Sequence, residues 1–184
     1  MDSAGYCLFE TPLGTCAIAW GKPLEPGGRP AVTLLQLPET TAATTEARVA
    51  RLSRARKVSA PPPDIAEVMD RICKHLRGDV QDFRGVAVNL DGLDPFTHRV
   101  YELVREIPAG ETRTYGDIAR ALDVPGAARA VGQSMGKNPV PLIIPCHRVM
   151  AAGGRTGGFS APGGRDTKAR LLSIEGAMLP LFRP

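Results

Sequence analysis

Cys146, His147 and Arg148 stand side by side after the aliphatic run Leu142-Ile143-Ile144 and Pro145. These types supply a nucleophile, a base and a fixed cation. A thiolate is a strong, soft nucleophile, yet a free thiol near its ordinary pKa is mostly protonated at neutral pH. An imidazole can take that proton. Successive residues of an extended strand face opposite ways, so a bend or an intervening water must connect His147 to Cys146. Glu175 lies at the end of a helix, directly before Gly176. A carboxylate there opposes the helix macrodipole. An acid in that place asks for a partner, and a plain surface glutamate is the alternative.

The remaining cysteines do not form a second centre. Cys7, Cys16 and Cys73 show no CxxC pair and no tight framework. Cys7 and Cys16 read as strand residues, Cys73 as helix core and His75 as helix surface. A zinc site would need two more ligands at suitable spacing. Without a disulfide framework, an intracellular, reduced protein is expected. The N-terminal "MDSAGYCLFE" has no basic region followed by a long apolar segment, so no secretory signal is expected. No apolar stretch approaches the roughly 18 residues of a membrane span.

The 184 residues suit one or two domains with a sound core. Residues 1–91 carry 11 basic and 11 acidic side chains, so the formal net charge of +4 falls in residues 92–184. Around a binding element such an excess suits a polyanion. The opening "GYCLFETPLGTCAIAWG" reads as a β-hairpin about Thr11-Pro12-Leu13-Gly14, with "AVTLLQL" (31–37) as a third strand. The basic "EARVARLSRARK" (46–57) reads first as a solvated helix or loop face, and otherwise as a phosphate contact. Ile65, Val68, Met69, Ile72, Cys73 and Leu76 recur at helical spacing behind Asp64 as cap.

The character changes near "NLDGLDPF" (89–96), and the domain boundary is placed there, giving domains 1–91 and 92–184. Pro95 opens a helix whose stripe is Phe96, Val100, Leu103, Val104 and Ile107. "TYGDIARAL" (114–122) and "AARAVGQSMGKN" (127–138) are short helices joined through "DVPG", a helix-turn-helix. The second is rich in small residues, Ala127, Ala128, Ala130, Gly132 and Ser134, among which Arg129 stands alone. Close approach to a ligand explains two helix-weakening glycines; ordinary helix packing is the bland alternative. The loop "AAGGRTGGFSAPGGRD" (151–166) is interrupted by Phe159-Ser160. "TKARLLSIEG" (167–176) then returns to helix with Leu171, Leu172 and Ile174 inward.

"RAVGQSMGKNPVPLIIPCHRV", preceded by "IPAGETRTYGDIA" and followed by the glycine-rich loop and "IEG", closely resembles the methylated-DNA–protein-cysteine methyltransferases. These are also called 6-O-alkylguanine-DNA alkyltransferases. The strong likeness covers roughly residues 93–177; the hairpin "FETPLGTCAIAW" is similar more loosely, and 22–90 weakly. The resemblance implies an α+β fold: a small N-terminal α/β domain, ribonuclease-H-like in the family, before a helical, winged helix-turn-helix-like domain. It implies direct-reversal repair, a single-turnover transfer of the alkyl group of 6-O-alkylguanine, or of 4-O-alkylthymine, from DNA to Cys146. His147 would draw off the thiol proton through a water, Glu175 would orient His147, and Asn138 would bridge the helix to the Cys146 segment. Tyr115 would turn the target phosphate and lend a proton. Arg129 would fill the stack left by the flipped base. Ala128, Gly132 and Ser134 would approach the minor groove. Phe159, Ser160, Met135 and Val149 would line the base pocket.

Phe159 stands where the family has a tyrosine. In the last helix Arg170-Leu171-Leu172 and Ile174-Glu175-Gly176 replace the family's Trp-Leu-Leu and His-Glu-Gly, which bears on substrate range. No cofactor, metal or obligate protein partner is implied; the expected partner is double-stranded DNA carrying the lesion, met by a cytoplasmic (or, in a eukaryote, nuclear) monomer. Three other readings compete. A non-catalytic damage-binding protein of the same fold would lack the acceptor cysteine. A cysteine hydrolase would need an oxyanion hole and has no use for the helix-turn-helix. A buried structural cysteine on a transcription-factor-like domain leaves the Cys-His-Arg block unexplained.

Overall fold

The computed structural model describes residues 4–177, which fall into two compact units: residues up to 81 with 85–91, and 82–84 with the residues from 92 onward. In the first unit β1 (Gly5–Thr11) and β2 (Gly14–Pro23) form the hairpin, Gly5 opposite Trp20 and Thr11 opposite Gly14. The turn is held by the Thr11 hydroxyl, which donates to the Gly14 carbonyl at 2.8 Å and accepts from the Leu13 N–H. Gly14 has φ +120°, a conformation that side chains rarely adopt. β3 (Pro30–Gln36) runs antiparallel to β2, and the two-residue β4 (Arg56–Lys57) adds a parallel edge beside β1, giving the order β3-β2-β1-β4.

Alternation sorts this sheet into two faces. Tyr6, Ala17 and Ala19 pack with Val49 of α1 (Ala42–Ser53), a helix capped reciprocally by Thr41 and Thr44. The opposite face carries Cys7, Cys16 and the only tryptophan, Trp20, each buried. There Cys7 Sγ meets Met69 Sδ of α2 (Pro63–Leu76) at 3.7 Å, and Cys73 Sγ donates to the Glu10 carbonyl at 3.3 Å. Burial pushes the thiols up, to about 11 for Cys7 and about 12 for Cys16, which leaves both inert.

Three sequence expectations need correction here. The cap of α2 is Pro62, and Asp64 sits inside the first turn, where it pairs with Arg29 at 3.4 Å. His75 is fully buried and Cys73 is half-exposed, the reverse of the assignment from helical spacing. Sequestering an imidazole is offset by a hydrogen bond: His75 Nδ1 accepts from the Gln81 N–H, holding the chain that leaves the helix.

The second unit is helical. α3 (Pro95–Arg105) starts at Asp94, whose carboxylate accepts from the Thr97 N–H at 2.9 Å and is held below the usual range by it. Its inward face includes Tyr101 as well as Val100 and Val104, all fully buried. α4 (Tyr115–Ala121) and α5 (Ala128–Gly136) form the helix-turn-helix, with Asp123 at φ +61° in the connection. β5 (Arg113–Thr114) pairs in parallel with β6 (Val149–Met150), tying the start of α4 to the segment after Cys146. The Cys-His-Arg block itself is no strand: Cys146–Arg148 is one turn of 3-10 helix, reached through Leu142 at φ +72°. α6 (Gly164–Ile174) begins three residues earlier than the sequence pattern suggests, and Glu175 is its C-cap. No described helix is long and apolar enough to cross a membrane.

Thr114 caps α4: its hydroxyl accepts from the Asp117 N–H at 3.0 Å, while Asp117 Oδ2 accepts from the Thr114 N–H at 2.7 Å. Thr114→Ala removes half of this reciprocal cap. A loss of about 1 kcal/mol in unfolding free energy is expected, read by urea titration with far-ultraviolet circular dichroism.

Candidate active site

The tight turn at Cys146–Arg148 resolves the geometry that an extended chain denies. In such a turn successive side chains diverge by about 120° instead of pointing to opposite faces, and His147 is turned onto Glu175. The turn is anchored at both ends: Cys146 N–H donates to the Ile144 carbonyl at 2.8 Å, and Arg148 N–H to the Pro145 carbonyl at 2.9 Å. Asn138, just past α5, reaches across to the same segment. Its Nδ2 donates to the Ile144 carbonyl at 2.8 Å and its Oδ1 accepts from the Val140 N–H at 3.0 Å.

Glu175 is the shared partner of the next two residues. Its Oε1 lies 2.8 Å from His147 Nε2, and Arg148 grips both carboxylate oxygens, Nε to Oε2 at 3.0 Å and the terminal nitrogen to Oε1 at 2.7 Å. Arg148 also donates to the Ile107 carbonyl, at the end of the α3 segment. All three side chains are buried. A carboxylate facing Nε2 favours the tautomer that carries its proton there, and Nδ1 is then the basic nitrogen.

Cys146 is 5% exposed, so its thiolate is costly to form. Burial pushes this thiol up. The Asn138 amide, the Lys168 ammonium and the backbone N–H groups of Cys146 and His147 pull the other way. Lys168 is the residue that sequence reasoning missed. Its side chain is fully buried in α6, and its Nζ donates to the Val149 carbonyl at 2.6 Å. Burial lowers it to about 8, against the opposing pull of Cys146. The signal was available: positions 168, 171, 172 and 175 share one helical stripe, and the other three are inward.

A cavity of about 530 Å³ opens above the thiol, within the size range of small-molecule sites. Its walls come from Tyr115, from α5 (Ala128, Arg129, Gly132, Met135) and from the loop at Gly158, Phe159 and Ser160. Arg129 is exposed at the rim. The Tyr115 ring is fenced closely: a Cβ on Gly157 would stand 3.2 Å from its hydroxyl, and one on Gly132 would stand 3.9 Å from its ring. Burial, and then the neighbouring Cys146, push Tyr115 up, so the phenol keeps its proton at neutral pH. No cluster of three or more metal-ligating side chains occurs among the described residues.

Residues 95–177 match the family model described as the DNA binding domain of 6-O-methylguanine DNA methyltransferase. A methylated-DNA–protein-cysteine methyltransferase from Mycolicibacterium paratuberculosis is 32% identical over 92% of this chain and 91% of its own length. The chain belongs to the methylated-DNA–protein-cysteine methyltransferase family. Its Mycobacterium bovis relative of the same name is 40% identical over 65% of this chain and 70% of its own. Two solved structures from Mycobacterium tuberculosis share the fold. OGT in complex with DNA has a TM-score of 0.71 and 34% identity, covering 94% of this chain and 92% of that one. The O6-methylguanine methyltransferase has a TM-score of 0.72 and 33% identity, covering 98% and 99%.

Set against this methyltransferase family, the structure gathers most of the sequence candidates about one thiol. Cys146, Tyr115, Ala128, Arg129, Gly132, Met135, Phe159 and Ser160 line the cavity, and His147, Glu175 and Asn138 support its floor. Two candidates are misplaced. Ser134 faces inward, its hydroxyl 2.9 Å from that of Thr97 and its carbonyl accepting from Tyr101 Oη at 2.7 Å, so it packs the helix instead of meeting a groove. Val149 is fully buried in β6 and lies outside the cavity lining; its N–H donates to the Cys146 carbonyl and its carbonyl accepts from Lys168.

Removing the Lys168 charge should push the Cys146 thiol further up, since a nearby cation favours the thiolate. Lys168→Met is therefore expected to shift the pH dependence of Cys146 alkylation by iodoacetamide to higher pH. The deficit in rate should be largest near neutrality and should shrink as pH rises. Peptide mass spectrometry of the labelled chain isolates Cys146 from Cys73.

Proposed function

We propose that Cys146 is the acceptor in a direct-reversal DNA repair reaction, and that residues 92–184 form the transferase domain while residues 1–91 support it. The observation that carries the reading is the convergence of Cys146, Tyr115 and Arg129 on one cavity beside the helix-turn-helix. A base cannot react at its 6-O edge while stacked in a duplex, so it must swing into such a pocket. The small face of α5 at Ala128 and Gly132 suits close approach to a minor groove, and Arg129 at the rim fills the vacated stack. Double-stranded DNA carrying the lesion is thus the partner, and the compartment is the one that holds it, the cytoplasm or a nucleus.

His147 Nδ1 takes the thiol proton through a water, while Glu175 keeps Nε2 protonated and the ring oriented. The thiolate attacks the alkyl carbon, forming a carbon–sulfur bond as the carbon–oxygen bond to guanine breaks. The departing guanine oxyanion takes a proton from Tyr115, which is protonated at neutral pH, or from water, and the proton held by His147 returns through solvent to restore the balance. The product is a thioether that no residue of the site can hydrolyse, so each chain acts once.

Incubation with duplex containing 6-O-methylguanine should add one methyl group per chain, located by intact mass and peptide mapping on Cys146. Cys146→Ser should abolish transfer and leave duplex binding largely intact, because a hydroxyl is a far poorer nucleophile at neutral pH. Many turnovers per chain, or a label on Cys7, Cys16 or Cys73, would refute the assignment.

Arg129 separates extrusion from chemistry. Arg129→Ala should slow transfer from duplex DNA far more than transfer from the free alkylguanine base, which needs no flipping. Equal losses on the two substrates, followed by single-turnover mass spectrometry, would mean that Arg129 supports the pocket itself.

A further inference from the structure

The first unit is neutral in sum but not in distribution. Five of the eleven basic residues among positions 1–91 fall between Arg48 and Lys57, and no acid occurs between Glu46 and Asp64. Two of the five are already neutralised: Arg48 pairs with Glu39 at 3.3 Å and Lys57 with Glu46 at 2.7 Å. Arg51, Arg54 and Arg56 are exposed and carry no ion pair among the described residues. They follow one line of backbone. Arg51 is in the last turn of α1, Arg54 is its C-cap, and Arg56 opens the edge strand β4.

The arrangement is fixed, not fluid. Arg54 adopts a left-handed conformation (φ +53°), its N–H donating to the Ala50 carbonyl at 3.1 Å, and β4 is pinned when the Val58 N–H donates to the Tyr6 carbonyl at 2.9 Å. The Cα atoms of the three arginines therefore lie within roughly 12 Å of chain, a span comparable to a few phosphates of one strand at about 3.4 Å each. A cation at a helix C-terminus complements the macrodipole, and a charge on an edge strand discourages pairing with other chains. Those roles account for Arg51 and Arg56 singly. They do not account for a seventeen-residue stretch without an acid in a unit that is acidic elsewhere.

We propose that Arg51, Arg54 and Arg56 form a second, sequence-independent phosphate-binding surface for duplex DNA, carried by the first unit and separate from the helix-turn-helix. Three unpaired guanidiniums present forked donors that match phosphate oxygens, and they have no internal carboxylate to give up on binding. The inference rests on the reading that this chain works on DNA. The surface adds affinity and no base specificity, since phosphate contacts position without reading sequence.

The test is the salt dependence of full-length chain binding to undamaged duplex, followed by fluorescence anisotropy. Each phosphate that the protein no longer neutralises should reduce the slope of log affinity against log salt by about 0.9. The variant Arg51→Gln, Arg54→Gln, Arg56→Gln is expected to lower the slope by one to three such steps, while Arg48→Gln, at a position with an internal partner, changes it least. Transfer from the free alkylguanine base, measured in parallel by intact mass, should be unchanged in the triple variant. That arm reports separately on the repair chemistry, so its failure is distinguishable from failure of the surface. An unaltered slope in a triple variant with wild-type circular dichroism would overturn the proposal, leaving these arginines to an acidic protein or to guarding the strand edge.

Discussion

A single buried carboxylate organises the reactive half of the molecule. Glu175 sits where α6 ends, a place that its own helix makes unfavourable for an anion. The forked contact from Arg148 and the imidazole edge of His147 compensate it. Because Arg148 also holds the Ile107 carbonyl, the same knot joins α6, the 3-10 turn and the end of the α3 segment. Removing one partner of such a buried pair typically costs about 3–5 kcal/mol, because the other charge is left stranded. The acid that orients the base is thus also a fastening of the fold, and Arg148 belongs to the fastening.

Cys146 raises the opposite problem. Its near-complete burial shelters a reactive sulfur but penalises the thiolate. Lys168 is placed where a cation is itself penalised. Each buried ion makes the other less costly. The site therefore does not depend on one strong base. It spreads stabilisation of the thiolate over an amide, an ammonium and two backbone N–H groups.

Much of this was legible in the sequence because local rules and tertiary demands agree there. The hairpin at Thr11–Gly14 and the two helices around "DVPG" carry their own turn chemistry. The roles of Asn138, Tyr115, Arg129 and Glu175 beside the Cys-His-Arg block came instead from the family resemblance that this block carries. The failures have a common cause, which is that residue type stands as a poor proxy for burial. His75 and Lys168 are polar and fully buried, each held by a backbone partner that sequence does not reveal. Ser134 has the size that suits a groove, but its hydroxyl is engaged by Thr97. The run before Cys146 looks like a strand because its residues are aliphatic, whereas Leu142 takes a left-handed turn that favours no apolar residue.

Trp20, the one indole in the chain, lies buried in the sheet of the first unit. Intrinsic tryptophan emission will accordingly report the melting of that sheet, and no indole stands in the alkyl-accepting unit to report its loosening directly. A fluorescence-detected denaturation curve can look undisturbed for a chain whose reactive half has already come apart. Substitutions around Cys146 have to be ranked by probes that see helices or the thiol itself.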